Sequence, residues 1–138
     1  MKACVYVENK SQPSLAAIGS ALDCITNDKI DTLPSAVYNE IELIDVLEYD
    51  ERPEILQLVA SKIRHGGSIK IIGTDAIQIT KGVSEGSMTA ADASIHLLNG
   101  RVRMNSIHEV RKMLESVGFQ IQFATISGNK YLLEALRP

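Results

Sequence analysis

The sequence predicts an α/β fold built on a mostly parallel sheet, and three stretches predict it. Residues 38–73 read as buried strand, helix, Gly-Gly turn and buried strand, which is one βαβ unit. Residues 2–7, KACVYV, form an alternating β-branched strand, and a helical pattern follows them. Near the far end, strand-like residues 119–126 and 131–136 flank Ser127-Gly128-Asn129-Lys130, a glycine-containing hairpin. Strands separated by helices pair in parallel, and a terminal hairpin adds an antiparallel edge. The expectation is one domain over residues 1–138, with five or six strands and helices on both faces.

The elements follow in order. Polar Glu8, Asn9 and Lys10 end the first strand. A helix is expected from about residue 11 to 22, with Ser11 as its cap, Pro13 in its first turn, and Leu15, Ile18, Ala21 and Leu22 as its stripe. Cys24-Ile25-Thr26 can make a short strand, Asn27-Asp28 a turn and Leu33-Pro34 a loop. Residues 40–46, EIELIDV, make the next strand. Asp50 then suits a helix cap, with Glu51, Pro53 and Glu54 in the first turn and Ile55, Leu56, Leu58, Val59 and Ile63 facing inward. Arg64 and His65 are placed at the end of this helix, and Gly66-Gly67 supply its left-handed cap. Residues 68–73 are nearly all apolar, as interior parallel strands are.

Residues 74–105 are polar and contain Gly82, Gly86 and Gly100. One short helix is expected there, at about residues 89–98, and so long an excursion suits a lid. Ser106-Ile107-His108-Glu109 is a capping box. Its helix turns Ile107, Val110, Met113, Leu114 and Val117 inward and stops at Gly118.

Composition narrows the function. A net charge of −3 and an aromatic content of 4% with no Trp offer neither a basic face nor stacking platforms for nucleic acid. The densest basic group, Arg101, Arg103, Arg111 and Lys112, reads as a solvated face. Cys4 and Cys24 form no C-x-x-C pair, and the three histidines show no ligand spacing, so no metal site is expected. With no membrane-length apolar run and no cleavable leader, the expected location is the cytoplasm.

Several motifs then line up. TLPSAVYNEIELIDVLEY, VASKIRHGGSIKI, SIHEVRKMLESVGFQI and KYLLEALRP occur in an order and spacing that resembles class I S-adenosylmethionine-dependent methyltransferases over roughly 100 residues. Leu33-Pro34, Leu47-Glu48-Tyr49, Gly66-Gly67 and Gly118-Phe119 carry the resemblance. It implies a Rossmann-like sheet and S-adenosylmethionine as cofactor. In that family the first strand runs into a glycine-rich loop whose backbone approaches the cofactor. Here the corresponding stretch reads VYVENKSQPS and has no glycine. Too few residues precede Tyr38 for a further full crossover. The resemblance therefore implies a truncated version of the seven-stranded fold.

Candidate site residues come from strand ends, because ligands of open α/β sheets bind outside the carboxyl ends of the strands. Glu8 and Asn9 end the first strand, and Asp45 and Glu48 end the central one. All four can equally be loop or helix-start polar groups. By the resemblance, Asp28 matches a residue that contacts adenine, although Asn-Asp is also an ordinary turn. Tyr49 stands where the family often has His. Thr74 and Asp75 follow the next strand, and His96 in the expected lid is the histidine to test as a base.

Three functions are weighed. The first is a small methyltransferase binding S-adenosylmethionine or S-adenosylhomocysteine weakly, and the second is an inactive subunit of the same fold that binds a partner. The third, a receiver-like domain, wants an acidic cluster at the first strand end, where Glu8 stands alone. A homo-oligomer or a partner chain is expected along the edge of residues 2–7, unless residues 24–26 cover it.

Overall fold

The computed structural model describes residues 1–13 and 23–138. Its six strands are β1 (Lys2–Tyr6), β2 (Asp23–Thr26), β3 (Tyr38–Ile44), β4 (Ile63–Thr74), β5 (Gln120–Ser127) and β6 (Lys130–Leu136). They form one sheet in the order β2-β1-β3-β4-β6-β5. The first four are mutually parallel, and β6 and β5 add the antiparallel hairpin. Five helices accompany them among the described residues: α1 (Val46–Tyr49), α2 (Ile55–Lys62), α3 (Ala76–Glu85), α4 (Ala90–Leu97) and α5 (Ile107–Ser116). A 3-10 helix over Asn27–Thr32 follows β2. The expected helix over residues 11–22 falls mostly outside the described residues.

Alternation along the strands builds the core. Val5, Leu43, Ile71 and Leu133 occupy one row across β1, β3, β4 and β6, and all are essentially inaccessible. Ala3, Ile41, Ile69 and Ala135 form the next row. Ile55, Leu56 and Val59 of α2 and Ile107, Val110 and Leu114 of α5 join this single apolar cluster. α5 keeps its expected start: the Ser106 hydroxyl accepts from the Glu109 N–H at 3.3 Å and donates to Glu109 Oε1 at 2.9 Å.

Four expectations are corrected. The first is that Asp50 caps no long helix. Its carboxylate takes Arg52 at 2.8 Å and Asn27 at 3.0 Å, and the main helix starts only at Ile55. Second, Gly66-Gly67 lie within β4, not at a helix end, because α2 already stops at Lys62. Gly66 is left-handed at φ +81°, where the β3–β4 register slips, and Arg137 takes over the capping by donating to the Ala60 and Ile63 carbonyls. Third, the excursion holds two helices. α3 is the unexpected one, although Asp75 caps its start and left-handed Gly86 its end. Fourth, β2 pairs with β1 through Ala3↔Asp23, Cys4↔Cys24, Val5↔Ile25 and Tyr6↔Thr26, so the edge of β1 is covered and no partner is needed there.

Candidate functional site

The connection from β1 leads to β2 on one side, and the connection from β3 leads to β4 on the other. The sheet order therefore reverses between β1 and β3, and a crevice opens at their carboxyl ends. Ser11 spans its floor. Its hydroxyl accepts from the Val7 N–H at 2.8 Å and donates to the Ile44 carbonyl at 2.9 Å, tying the two strand ends together. Asn9 stands in the left-handed region at φ 63°, in a turn closed by Lys10 and Ser11 N–H groups on the Val7 carbonyl.

Two clefts of about 390 Å³ each flank this point. One is lined by Tyr6, Glu8, Asn9, Lys10, Ser11 and Gln12. The other is lined by Asn27, Asp28, Tyr49, Asp50, Glu51 and Arg52. Lys10 links them, with its Nζ 6.0 Å above the Tyr49 ring. Asp28 is exposed and accepts from the Thr26 hydroxyl. Behind it, burial pushes the Asp50 carboxyl up, but hydrogen bonds from Arg52 and Asn27 outweigh this and hold it below its ordinary value.

The ends of β3, β4 and β6 meet in a tighter cluster. Asp45 takes a left-handed turn at φ 59° and pairs with Lys130 at 3.2 Å. The Thr74 hydroxyl accepts from Lys130 at 3.2 Å and from Arg101 at 3.3 Å. Glu48 is 1% exposed; its Oε1 accepts from the Tyr131 hydroxyl at 2.8 Å. Its Oε2 has no partner among the described residues, and neither do Nε and Nη1 of Arg101. Burial pushes the Glu48 carboxyl up to about 7, against the pull of the Tyr131 hydrogen bond and of the Arg101 charge. Burial and the adjacent Glu48 charge hold the Tyr131 hydroxyl well above its ordinary value. Gly73 makes room for this pair, since a Cβ there would overlap the Glu48 carboxylate and the Tyr131 ring.

The segment after α4 closes over this cluster. The Glu48 carbonyl accepts from Val102 and Arg103 N–H groups at 2.8 and 3.3 Å. Arg101 lies 5.0 Å from the Tyr49 ring centre, and Asn99 Oδ1 accepts from Lys10 at 3.3 Å. The segment thus reaches across the crevice to the β1 turn.

The structure brings Glu8, Asn9, Asp28, Tyr49, Asp45, Glu48 and Thr74 to the same end of the sheet, but in different states. Glu8, Asn9 and Asp28 are exposed, whereas Asp45, Glu48 and Thr74 are buried. Asp75 is fully buried and its carboxylate is spent on backbone. It accepts from Ile77 and Gln78 at the start of α3 and from Ile107 at the start of α5. His96 sits in the last turn of α4 and makes no hydrogen bond to the strand-end cluster among the described residues.

Sequence reasoning missed Lys10, Ser11 and Lys130, and it read Arg101 as solvated. Gly100, left-handed at φ 79°, precedes Arg101 where the chain turns inward, but a glycine in a polar loop does not by itself mark that turn. No helix among the described residues is long and apolar enough to cross a membrane.

No protein-family model and no curated protein sequence matches this chain. Solved structures do. A SAM-dependent methyltransferase from Thermotoga maritima, described as a possible histamine N-methyltransferase, is similar with TM-score 0.63 at 12% identity, over 99% of this chain and 82% of that one. A SAM-dependent methyltransferase from Aquifex aeolicus gives 0.61 at 10%, over 100% and 82%. A Haloferax volcanii complex of the Trm112 methyltransferase activator with a putative methyltransferase gives 0.58 at 13%, over 85% of this chain and only 62% of that one. At such identities the likeness is one of fold: a Rossmann-like, methyltransferase-type sheet closed by an antiparallel hairpin.

Proposed function

We propose that the crevice between β1 and β3 binds S-adenosylmethionine or S-adenosylhomocysteine weakly, and that the protein transfers the methyl group to an acceptor. The observation that carries this reading is the reversal of strand order between β1 and β3. Two polar clefts flank that point on a fold shared with methyltransferases. Methyl transfer needs chiefly an in-line approach of donor and acceptor, so positioning does most of the work. The methyl leaves the sulfonium for a nucleophile, which must shed its own proton if it carries one. Glu48, held at the strand ends by the Tyr131 hydroxyl, is the buried carboxylate of this cluster suited to accept a proton.

Binding is weak for two reasons. The β1 turn lacks glycine, so side chains stand where a backbone would approach the cofactor. Lys10, Asn99, Arg101 and Tyr49 also bridge the crevice, and their contacts must give way before a ligand enters. Calorimetric titration tests this. Dissociation constants in the micromolar range or weaker are expected for both ligands. Submicromolar binding would overturn the weak-site reading, and no heat from either ligand at millimolar concentration would overturn the cofactor itself.

The same bridge favours a second reading, an inactive subunit that serves as a binding or assembly partner. The Haloferax neighbour, seen bound to an activator, supports a protein partner for this kind of fold. Turnover of a radiolabelled methyl donor with a panel of amine and hydroxyl acceptors separates the two.

A further inference from the structure

With the edge of β1 covered, β5 is the long open edge of the sheet among the described residues. Its sequence, QIQFATIS, contains no proline and no charged residue, the devices that usually blunt an edge. Phe123 is 49% and Ile126 38% exposed, unusual for large apolar side chains on a strand. A bulge interrupts the β5–β6 register between Ile121 and Phe123, so the regular part of the edge is residues 123–127.

The hairpin turn fixes which groups this edge offers. Gly128 is left-handed at φ 61° in the two-residue connection between Ser127 and Lys130. Those two residues close the turn as a doubly hydrogen-bonded pair. Alternation then directs the N–H and C=O of Phe123 and Thr125 toward β6 and those of Ala124 and Ile126 away from the sheet.

We propose that β5 is the interface for a second copy of this chain, the two strands pairing antiparallel about a two-fold axis at Thr125. In that register Ala124 of each copy faces Ile126 of the other, and each exchanges its outward N–H and C=O. Thr125 meets its own counterpart in a close pair that is not hydrogen-bonded through the backbone, a position where threonine pairs are favourable. Each Ile126 enters the groove of about 330 Å³ lined by Ile107, His108, Arg111, Ala124, Thr125 and Ile126 of the other copy, beside the small Ala124. Self-complementarity is what selects a second copy as occupant: the two-fold sets the small Ala124 of each copy against the large Ile126 of the other, and the strand itself adds no like charges at the axis. Any charge in the strand would be laid near its like by the two-fold, and this strand has none. Among the described residues the strand at the other edge, β2, is only four residues long and begins with Asp23.

Light scattering at tens of micromolar tests the interface in the wild type, Ala124→Pro and Thr125→Lys. Ala124→Pro removes an outward N–H without touching the ladder to β6, and Thr125→Lys places two ammonium groups at the axis. The expected result is twice the 15.1 kDa chain mass for the wild type, with self-affinity weakened on the order of tenfold or more in each variant. Circular dichroism checks that both fold, and Thr125→Lys alone decides if the proline does not. Thr125→Cys in a Cys24→Ser background should cross-link two copies under mild oxidation, since such pairs hold their Cα atoms at about 4.5 Å. A monomeric wild type, a dimer that survives Thr125→Lys, or a Thr125→Cys variant that fails to cross-link overturns the proposal.

Discussion

The two sides of the crevice are built differently. Toward β1 and β2, Glu8, Asn9, Lys10 and Asp28 stand in solvent, and Lys10 reaches its neighbours through one hydrogen bond and one ring contact. Toward β4 and β6, Asp45, Glu48, Thr74, Lys130 and Tyr131 share hydrogen bonds in a largely buried cluster. Polar groups in water cost nothing to leave unpaired, whereas buried ones must be paired or cost stability. Substitutions on the closed side should therefore register in unfolding, and those on the open side in ligand affinity.

The largest effect is expected from Asp75→Ala. It strips one cap from α3 and leaves the buried Ile107 N–H without its acceptor. A lost cap and an orphaned donor together cost about 3–4 kcal/mol, read from the urea midpoint. A loss under about 1 kcal/mol would show that the two helix starts find other acceptors.

Next comes Glu48. Its carboxyl sits at about 7 in the folded protein, above the ordinary 4.5. A raised value favours folding fully below the ordinary value, and that contribution is lost as pH rises through the folded one. The wild type should lose stability between pH 4.5 and 7, by an amount of order 3 kcal/mol. Glu48→Gln keeps the acceptor for Tyr131 and should flatten that slope. Urea midpoints at both ends of the window check it, and an unchanged slope in the variant would assign the titration elsewhere.

Gly73→Ala should cost about 2 kcal/mol, because the added methyl must displace Glu48 or Tyr131. Its effect should be coupled to Tyr131→Phe in a double-mutant cycle. The smallest effect belongs to Lys10→Ala on the open side. An exposed contact of this kind contributes less than about 0.5 kcal/mol to folding. Yet removing it unfastens the Asn99 bridge and should change S-adenosylhomocysteine affinity measurably. If Lys10→Ala moved the midpoint as far as Gly73→Ala, the contrast between the two sides would fail.

The fold was legible because its signals are local. The alternation in residues 2–7, the capping box at Ser106 and Glu109 and the hairpin around Gly128 each read correctly within a few residues. Asp50 misled because Asp followed by Glu and Pro is an ideal helix start, and only the folded chain reveals Arg52 and Asn27 competing for its carboxylate. Gly66-Gly67 misled in the same manner, since a left-handed glycine serves a strand irregularity as well as a helix end. The site was half legible. Strand-end position anticipated where Asp45, Glu48 and Thr74 lie, at one end of the sheet. Arg101 joins them from 27 residues beyond Thr74, and nothing local in its composition distinguishes an arginine that turns inward from one that faces water.

Asp75 has a consequence beyond stability. The Ala76 N–H meets the Asn105 carbonyl at 2.9 Å, Asp75 and Asn105 form an isolated bridge, and the same Asp75 carboxylate holds the start of α5. The excursion from 76 to 105 thus leaves the end of β4 and returns to the start of α5 through one neck, like a bag drawn shut by a cord. In hydrogen exchange the amides of Ala76 and Ile107 should outlast those of the rest of α3 and of α4, and a length change near Gly86 should leave the β4–β6 ladder undisturbed.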